Sequence, residues 1–374
     1  MIKVLQIGMT RNHGGLETYL LHQWRHLSSS RVHYDFVNIT GEYPIVAQDE
    51  LKRAGSKVFS VCSRHKNPIK HYWQWYKLLK QCGQAYKAIV LNTNSLEYIF
   101  PLFLSRFFNI PMRIIHSHNA GFERCLGIKR RLLISFNRKL MEWSVTDYFA
   151  CSKKAGQWMF GDHQFFHVIH NAIDTETMVY NLEKRDVLRK KWGLENNFVI
   201  GHIGRFSYPK NHEFLIDIFA KIYQKNPSAR LLLIGDAVDD DSFLRKTKEM
   251  VKTLDLENVV FFLGLRRDVP DLLLVMDAFL FPSLFEGLGL VGIEAQATGL
   301  PCFFSDTITR ELGITQLAHF ISLETPPEKW AEEILKESRI SRKNMQQEIV
   351  EAGYDISQEI GKLEAFYEKT GKIK

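Results

Sequence analysis

Short runs of Val, Ile, Leu and Phe alternate with helix-length amphipathic segments along nearly all of the 374 residues, and this alternation constrains the fold more than any other feature. Apolar runs of strand length, spaced by helices, read as strands buried on both faces of parallel sheets. The predicted strands are 2–7, 32–37, 58–61, 88–91, 112–115 and 147–150 in the first half, then 198–203, 230–234, 259–263, 278–281 and 301–304. Helical stretches between them include 16–27, 213–224 and 243–253. The pattern restarts near residue 198, after a charged segment (181–197) that reads as a linker plus a connecting helix. The expected architecture is α/β: two doubly wound, Rossmann-like domains facing a cleft, with boundaries at 1–180 and 181–355. A last helix, from about 356, has no strand after it and is free to dock elsewhere.

Composition removes several function classes. Hydrophobic residues are 45% and charged residues 24%, which excludes a largely disordered chain. No apolar stretch approaches the roughly 20 residues of a membrane-spanning helix, and Arg11-Asn12-His13 cuts short the N-terminal apolar run before it reaches signal-peptide length. The five cysteines (Cys62, Cys82, Cys125, Cys151, Cys302) have no CxxC spacing, so reduced thiols in a cytoplasmic protein are expected. Charge is uneven: residues 51–150 carry 17 Lys/Arg against 4 Asp/Glu, whereas residues 201–374 carry 21 against 27. The basic part interleaves aromatics around Lys70, Trp73 and Lys77, and a second basic cluster runs from Lys129-Arg130-Arg131 to Arg138-Lys139 and Trp143. A solvated basic face would show the same residues. Without any nucleic-acid-binding signature beside them, an anionic membrane surface is the better functional expectation and nucleic acid is not expected.

Four segments place polar residues at predicted strand ends, where open α/β sheets bind ligands. Gly14-Gly15 precedes a helix, so free backbone N–H groups there suit an anion, although the spacing is not GxGxxG. Arg205 and Lys210 follow strand 198–203 and suit a diphosphate. Strand 278–281 leads through Glu286-Gly287-Leu288-Gly289-Leu290 into a helix carrying Glu294; the N–H groups of 288–290 face outward at the helix start, and the two carboxylates stand as separate recognition points for sugar or ribose hydroxyls. His116-Ser117-His118 follows strand 112–115, and His118 reads as a polar or acid/base contact, a structural histidine, or half of a metal pair lacking a third ligand. The acidic run 236–241 reads as capping for helix 243–253.

Taken in order, these segments resemble the retaining GT-B glycosyltransferases of family 4, and they span nearly the whole chain. The resemblance rests on the Gly14-Gly15 helix start, the His-x-His strand end, Gly204-Arg205 with Lys210, and the Glu286-x7-Glu294 pair. Ile169-His170-Asn171-Ala172-Ile173-Asp174 is similar to the stretch that closes the family's first domain, with Ala172 in place of Gly. Ser305–Glu311 looks like the branch that builds capsular and exopolysaccharide, and Gln296 stands where the family usually has Met. The resemblance implies that Glu286 and His118 face the transferred sugar and that Glu294 holds the ribose. It implies that Arg205 and Lys210 neutralise the diphosphate, with help from Gly14, Gly15 and Gly287–Leu290. The final segment, about 356–374, would cross back onto the first domain. The expected donor is a hexose-type UDP-sugar, and no metal or other cofactor is expected. The expected acceptor is a polyprenyl-diphosphate-linked glycan held by the basic first domain, peripheral on the inner face of the plasma membrane. An epimerase of UDP-N-acetylhexosamines and a non-catalytic nucleotide-sugar-binding subunit are the alternatives.

Overall fold

The computed structural model describes residues 1–12, 14–28, 30–121, 127–237 and 240–369. His13, Cys125, Asp239 and the last five positions of the predicted final segment lie outside the described residues. The chain divides into two compact units, Met1–Ala172 with Ile356–Lys374, and Ile173–Asp355.

Unit 1 holds the strands β1 (Ile2–Ile7), β2 (Val32–Asn38), β3 (Val58–Ser60), β4 (Ala88–Thr93), β5 (Met112–Ser117), β6 (Asp147–Ala150) and β7 (His167–Val168). They form one parallel sheet in the order β3-β2-β1-β4-β5-β6-β7. Unit 2 holds β8 (Phe198–Ile203), β9 (Ala229–Ile234), β10 (Val260–Gly264), β11 (Ala278–Phe281), β12 (Cys302–Ser305) and β13 (Ala318–Ile321). Its parallel sheet runs β10-β9-β8-β11-β12-β13. Helices cover the strands, so whole runs such as Leu231-Leu232-Leu233 are buried, which is why they are apolar without alternation. In each sheet the strand order reverses direction once, at β1/β4 and at β8/β11. Beyond the carboxyl ends of such a pair lies the crevice where doubly wound sheets take ligands.

The expected doubly wound pattern is present in both units, with two additions. Strands β7 and β13 were not predicted: two residues, and four residues of intermediate exposure, give no apolar run to read. The helix Ile356–Glu368 belongs to unit 1, to which the chain returns. Its Glu364 and Glu368 carboxylates take Arg31 at 2.6 and 2.8 Å, and Glu359 accepts the His170 N–H at 3.1 Å. Phe366 and Tyr367 pack on Phe149 and Tyr34. At the other end of the excursion, Ile173 bridges Asp355, so the two ends of unit 2's segment meet.

Candidate active site

At the β8/β11 switch of unit 2, two loops meet. After β8, Pro209 leads into Asn211, whose left-handed backbone (φ 54°) turns the chain into the helix His212–Lys225. Asn211 Nδ2 donates to the Pro282 carbonyl at 3.1 Å, and Leu284 N–H donates to the Pro209 carbonyl at 2.8 Å, which ties the two loops together. This tie brings Lys210 Nζ to Glu286 Oε1 at 2.7 Å and sets the same ammonium 4.4 Å from the centre of the Phe281 ring. Both side chains of the pair are largely buried, so the pair is held in a low dielectric, where one partner without the other would be costly. The Arg205 guanidinium nearby in sequence makes no hydrogen bond or ion pair among the described residues. It is therefore a cation with its donors unspent.

Gly289 begins the helix Leu290–Ala297 with φ 91°, where an added Cβ would stand 3.1 Å from Phe281. The N–H groups of Leu288 and Gly289 donate to no group among the described residues, at the positive end of a helix. Four residues into that helix sits Glu294, buried, with no hydrogen-bond partner for its carboxyl among the described residues. Burial alone pushes its pKa up to about 7. Both oxygens of a carboxyl left this way are available to a hydroxyl-bearing ligand. Gln296 is structural: its Oε1 accepts from the N–H groups of Ile314 and Thr315, and its Nε2 donates to the carbonyls of Gly292 and Leu312. Ser305 and Thr307 both donate to the Ser283 carbonyl, which fastens the 305–311 segment to the same loop.

In unit 1, β5 extends to Ser117, so His116 lies inside the strand and is fully buried, a correction to the expected strand end at 115. His118 follows directly. Its Nε2 meets Asn92 Oδ1 at 3.1 Å, its ring lies 4.0 Å from His116 and 5.1 Å from Tyr19, and burial pushes its pKa down to about 3. Among the described residues no cluster of His, Cys, Asp or Glu is arranged to hold a metal ion. Gly14 is the extended residue before the helix Gly15–His26, and no atom lies within 4 Å of where a Gly15 Cβ would stand. In the acidic run, Asp240 accepts from Ser242 N–H at 2.9 Å, whereas Asp241 pairs with Arg245 instead of capping.

The basic residues lie on the outer helices of unit 1. Lys70, Trp73 and Lys77 share the helix Pro68–Cys82, started by Asn67, which accepts from the Lys70 N–H. Lys129, Arg130 and Arg131 begin the helix Ile128–Ser144. Arg130 is bound bidentately to Glu97, so its charge is already met. The sequence reading missed an apolar stripe on this helix: Ile128, Leu132, Phe136 and Trp143 are exposed at helical spacing, beyond the face that packs inward. Trp143 continues onto the exposed Phe107 of helix Phe100–Phe107 at 5.7 Å, with Arg106 stacked at 4.2 Å. No helix among the described residues is long and apolar enough to cross a membrane.

Three comparisons bear on this geometry. Residues 184–355 match the family model "Glycosyl transferases group 1". EpsF of Bacillus subtilis, a protein classed as a glycosyltransferase, is 30% identical over 371 residues, covering 96% of this chain and 95% of the relative. An Escherichia coli enzyme named as a UDP-Gal:α-D-GlcNAc-diphosphoundecaprenol α-1,3-galactosyltransferase is 28% identical over 62% of this chain and 60% of its own. Among solved structures, HepE (Alr3699) of Anabaena, crystallised with UDP and glucose, superposes with a TM-score of 0.77 over 99% of this chain and 100% of its own, at 19% identity. The last likeness is one of fold, and that fold is GT-B. The full-length match to EpsF, with the family model lying on the unit that carries Lys210, Glu286 and Glu294, makes this chain a member of the group 1 glycosyl transferases.

Proposed function

We propose that the chain is a retaining family 4 glycosyltransferase that moves a hexose-type sugar from a UDP-sugar to a lipid-linked glycan in bacterial surface polysaccharide synthesis. The observation that carries the reading is the β8/β11 edge of unit 2. There a buried, partnerless carboxyl (Glu294), a held Lys210–Glu286 pair, an unspent Arg205 and free N–H groups at a helix start stand on neighbouring segments. Support for UDP comes from the E. coli galactosyltransferase and from HepE, each named or solved with a UDP compound. Support for surface polysaccharide comes from the likeness to a Vi polysaccharide biosynthesis protein of Salmonella typhi, 29% identical over 38% of this chain.

Breaking the bond between the anomeric carbon and the diphosphate puts positive charge on the sugar and negative charge on the departing oxygen. In this reading Arg205, Lys210 and the N–H groups of Leu288–Leu290 meet the negative charge as it grows, so leaving-group stabilisation needs no metal. Glu294 accepts from the ribose diol, and Gly287 opens the loop that the phosphates approach. Glu286, steered by Lys210, accepts from a hydroxyl of the transferred sugar. In unit 1, His118 offers a polar contact to that sugar, and Gly14-Gly15 offers backbone N–H groups to its phosphate. With Glu286 committed to Lys210, attack by the acceptor on the face that the diphosphate leaves is favoured over a covalent glycosyl intermediate.

The acceptor side of the proposal rests on unit 1. Lys70, Lys77, Lys129 and Arg131 flank exposed Trp73, Leu132, Phe136 and Trp143, which suits a peripheral hold on anionic lipid at the cytoplasmic face, where a polyprenyl diphosphate acceptor resides.

The test is diphosphate release from a panel of UDP-, GDP- and ADP-sugars, followed by product analysis, with Glu294→Ala as control. Slow turnover of one UDP-sugar that is lost in the control is expected, with a new glycoside once acceptor is added. An epimerised donor would replace the reading with the epimerase alternative. Absence of binding and turnover with every donor would reduce the chain to a non-catalytic partner.

A further inference from the structure

One side-chain oxygen decides what the His118 ring can do. Asn92 lies near the end of β4, and its Nδ2 donates to the main-chain carbonyl of Ile7 at 3.0 Å and to Gln6 Oε1 at 2.9 Å. A main-chain carbonyl can only accept, so the amide cannot be turned round, and Oδ1 is the atom that meets His118 Nε2 at 3.1 Å. That oxygen carries no hydrogen. The ring proton therefore resides on Nε2, and Nδ1 keeps its lone pair, buried and without a hydrogen-bond partner among the described residues.

The amide itself has little room to move. Gln6 is itself buried, beside the hydroxyls of Tyr34 and of Tyr367 on the returning helix Ile356–Glu368. Gly8, at φ 123°, lets β1 approach so closely that a Cβ there would stand 2.3 Å from the Asn92 carbonyl oxygen. Among the described residues, the titratable groups facing His118 are His116 of β5 and Tyr19 of the helix Gly15–His26, both buried. Neither is a carboxylate that would favour a second ring proton, and burial alone holds the ring far below its usual titration range.

We infer that Asn92 is a positioning residue that fixes His118 as the neutral Nε2–H tautomer, so that the ring serves as a set polar contact and not as a proton carrier. The kinetic consequence rests on the reading of His118 as a sugar-facing residue. The tautomer does not rest on it.

The experiment is long-range 1H–15N correlation on the full chain labelled at histidine nitrogen, with His118→Gln assigning the signals. The wild-type ring is expected to show the Nε2–H pattern unchanged from pH 8 to pH 5. Asn92→Leu, which removes the acceptor, is expected to give a tautomer mixture and a kcat about tenfold lower, with donor KM little changed. Asn92→Asp, which keeps the acceptor but sets a carboxylate beside the ring, is expected to keep the proton on Nε2 and to raise the pH at which the ring takes up a second one. An Nδ1–H pattern in the wild type, or a doubly protonated ring above pH 5, would overturn the inference whether or not the variants fold. So would an unchanged tautomer in a folded Asn92→Leu chain. Failure of the wild type to transfer any sugar would count against the proposed function while leaving the spectra decisive for the tautomer.

Discussion

At the β1/β4 edge of unit 1, the polar groups near the strand ends include the amides and imidazoles of Gln6, Asn92, His116 and His118, bonded to one another, to the Ile7 carbonyl or to the Tyr19 hydroxyl. At the β8/β11 edge of unit 2, a similar buried histidine pair is present, His202 and His212, with rings 4.9 Å apart. Unit 2 adds to it Arg205, Lys210, Glu286 and Glu294. Both edges occupy the reversal point of the same kind of sheet, yet one holds neutral groups in fixed orientation and the other gathers charge. The difference teaches that strand order supplies the location of a site and not its chemistry. A group that carries charge away needs cations held in advance, whereas a sugar ring needs shape and direct polar contacts.

The sharpest way to break this comparison is to remove the charge from unit 2. On the proposed reading, Lys210→Ala takes away a cation at the departing diphosphate, and it leaves Glu286 buried without its partner. We expect kcat for sugar transfer to fall roughly 10²–10³-fold; a fall of less than threefold would show that unit 2's charge is not used in the chemical step. Next, the neutral site of unit 1 contrasts with the basic outer helices of the same unit. Replacing Lys129 and Arg131 by Ala should weaken binding to vesicles rich in anionic lipid by about 30-fold, at roughly 1 kcal/mol for each charge near the surface. Equal binding to neutral and anionic vesicles by the unaltered chain would remove the membrane role.

The smallest effect concerns what the two edges share. Burial pushes His202 down to about 3, while the unfolded chain takes up its proton near the ordinary value of 6.5. Between those values the unfolded state binds more protons, so the contribution is absent above pH 6.5 and stability is lost as pH falls toward 3. At pH 5 one such histidine costs about 2 kcal/mol. Guanidinium unfolding at pH 7.5 and pH 5 should show a drop in stability that is reduced in His202→Gln, and an identical drop in the variant would show that His202 keeps an ordinary pKa in the fold.

Much of this was legible in the residues. Buried strands announce themselves because both faces are apolar, and the segments holding Arg205, Lys210, Glu286 and Glu294 stood out by charge beside glycine at predicted strand ends. What was not legible depends on which strands become neighbours. That Lys210 reaches Glu286 follows from β8 lying beside β11, and no local spacing encodes it. Asn92 and Gln6 went unremarked although a signal existed, since Gln6 is a polar side chain within the buried run Val4–Ile7 and Asn92 directly follows the buried run Ala88–Leu91. A buried amide of that kind needs partners, and asking for them would have led from β1 to β4 and on to His118. The apolar stripe on Ile128–Ser144 was hidden because a helix with two apolar faces reads as an ordinary buried one until its neighbours are known.

The return of Ile356–Glu368 to unit 1 also has a consequence for how the protein is made. Unit 2 is an insertion within unit 1, and its segment is complete once Asp355 has left the ribosome. At that moment the sheet whose strands were synthesised first still lacks Leu363 and Tyr367 from its core and the carboxylates that take Arg31. Domains usually finish in the order they emerge. Here the unit begun first is the one sealed last.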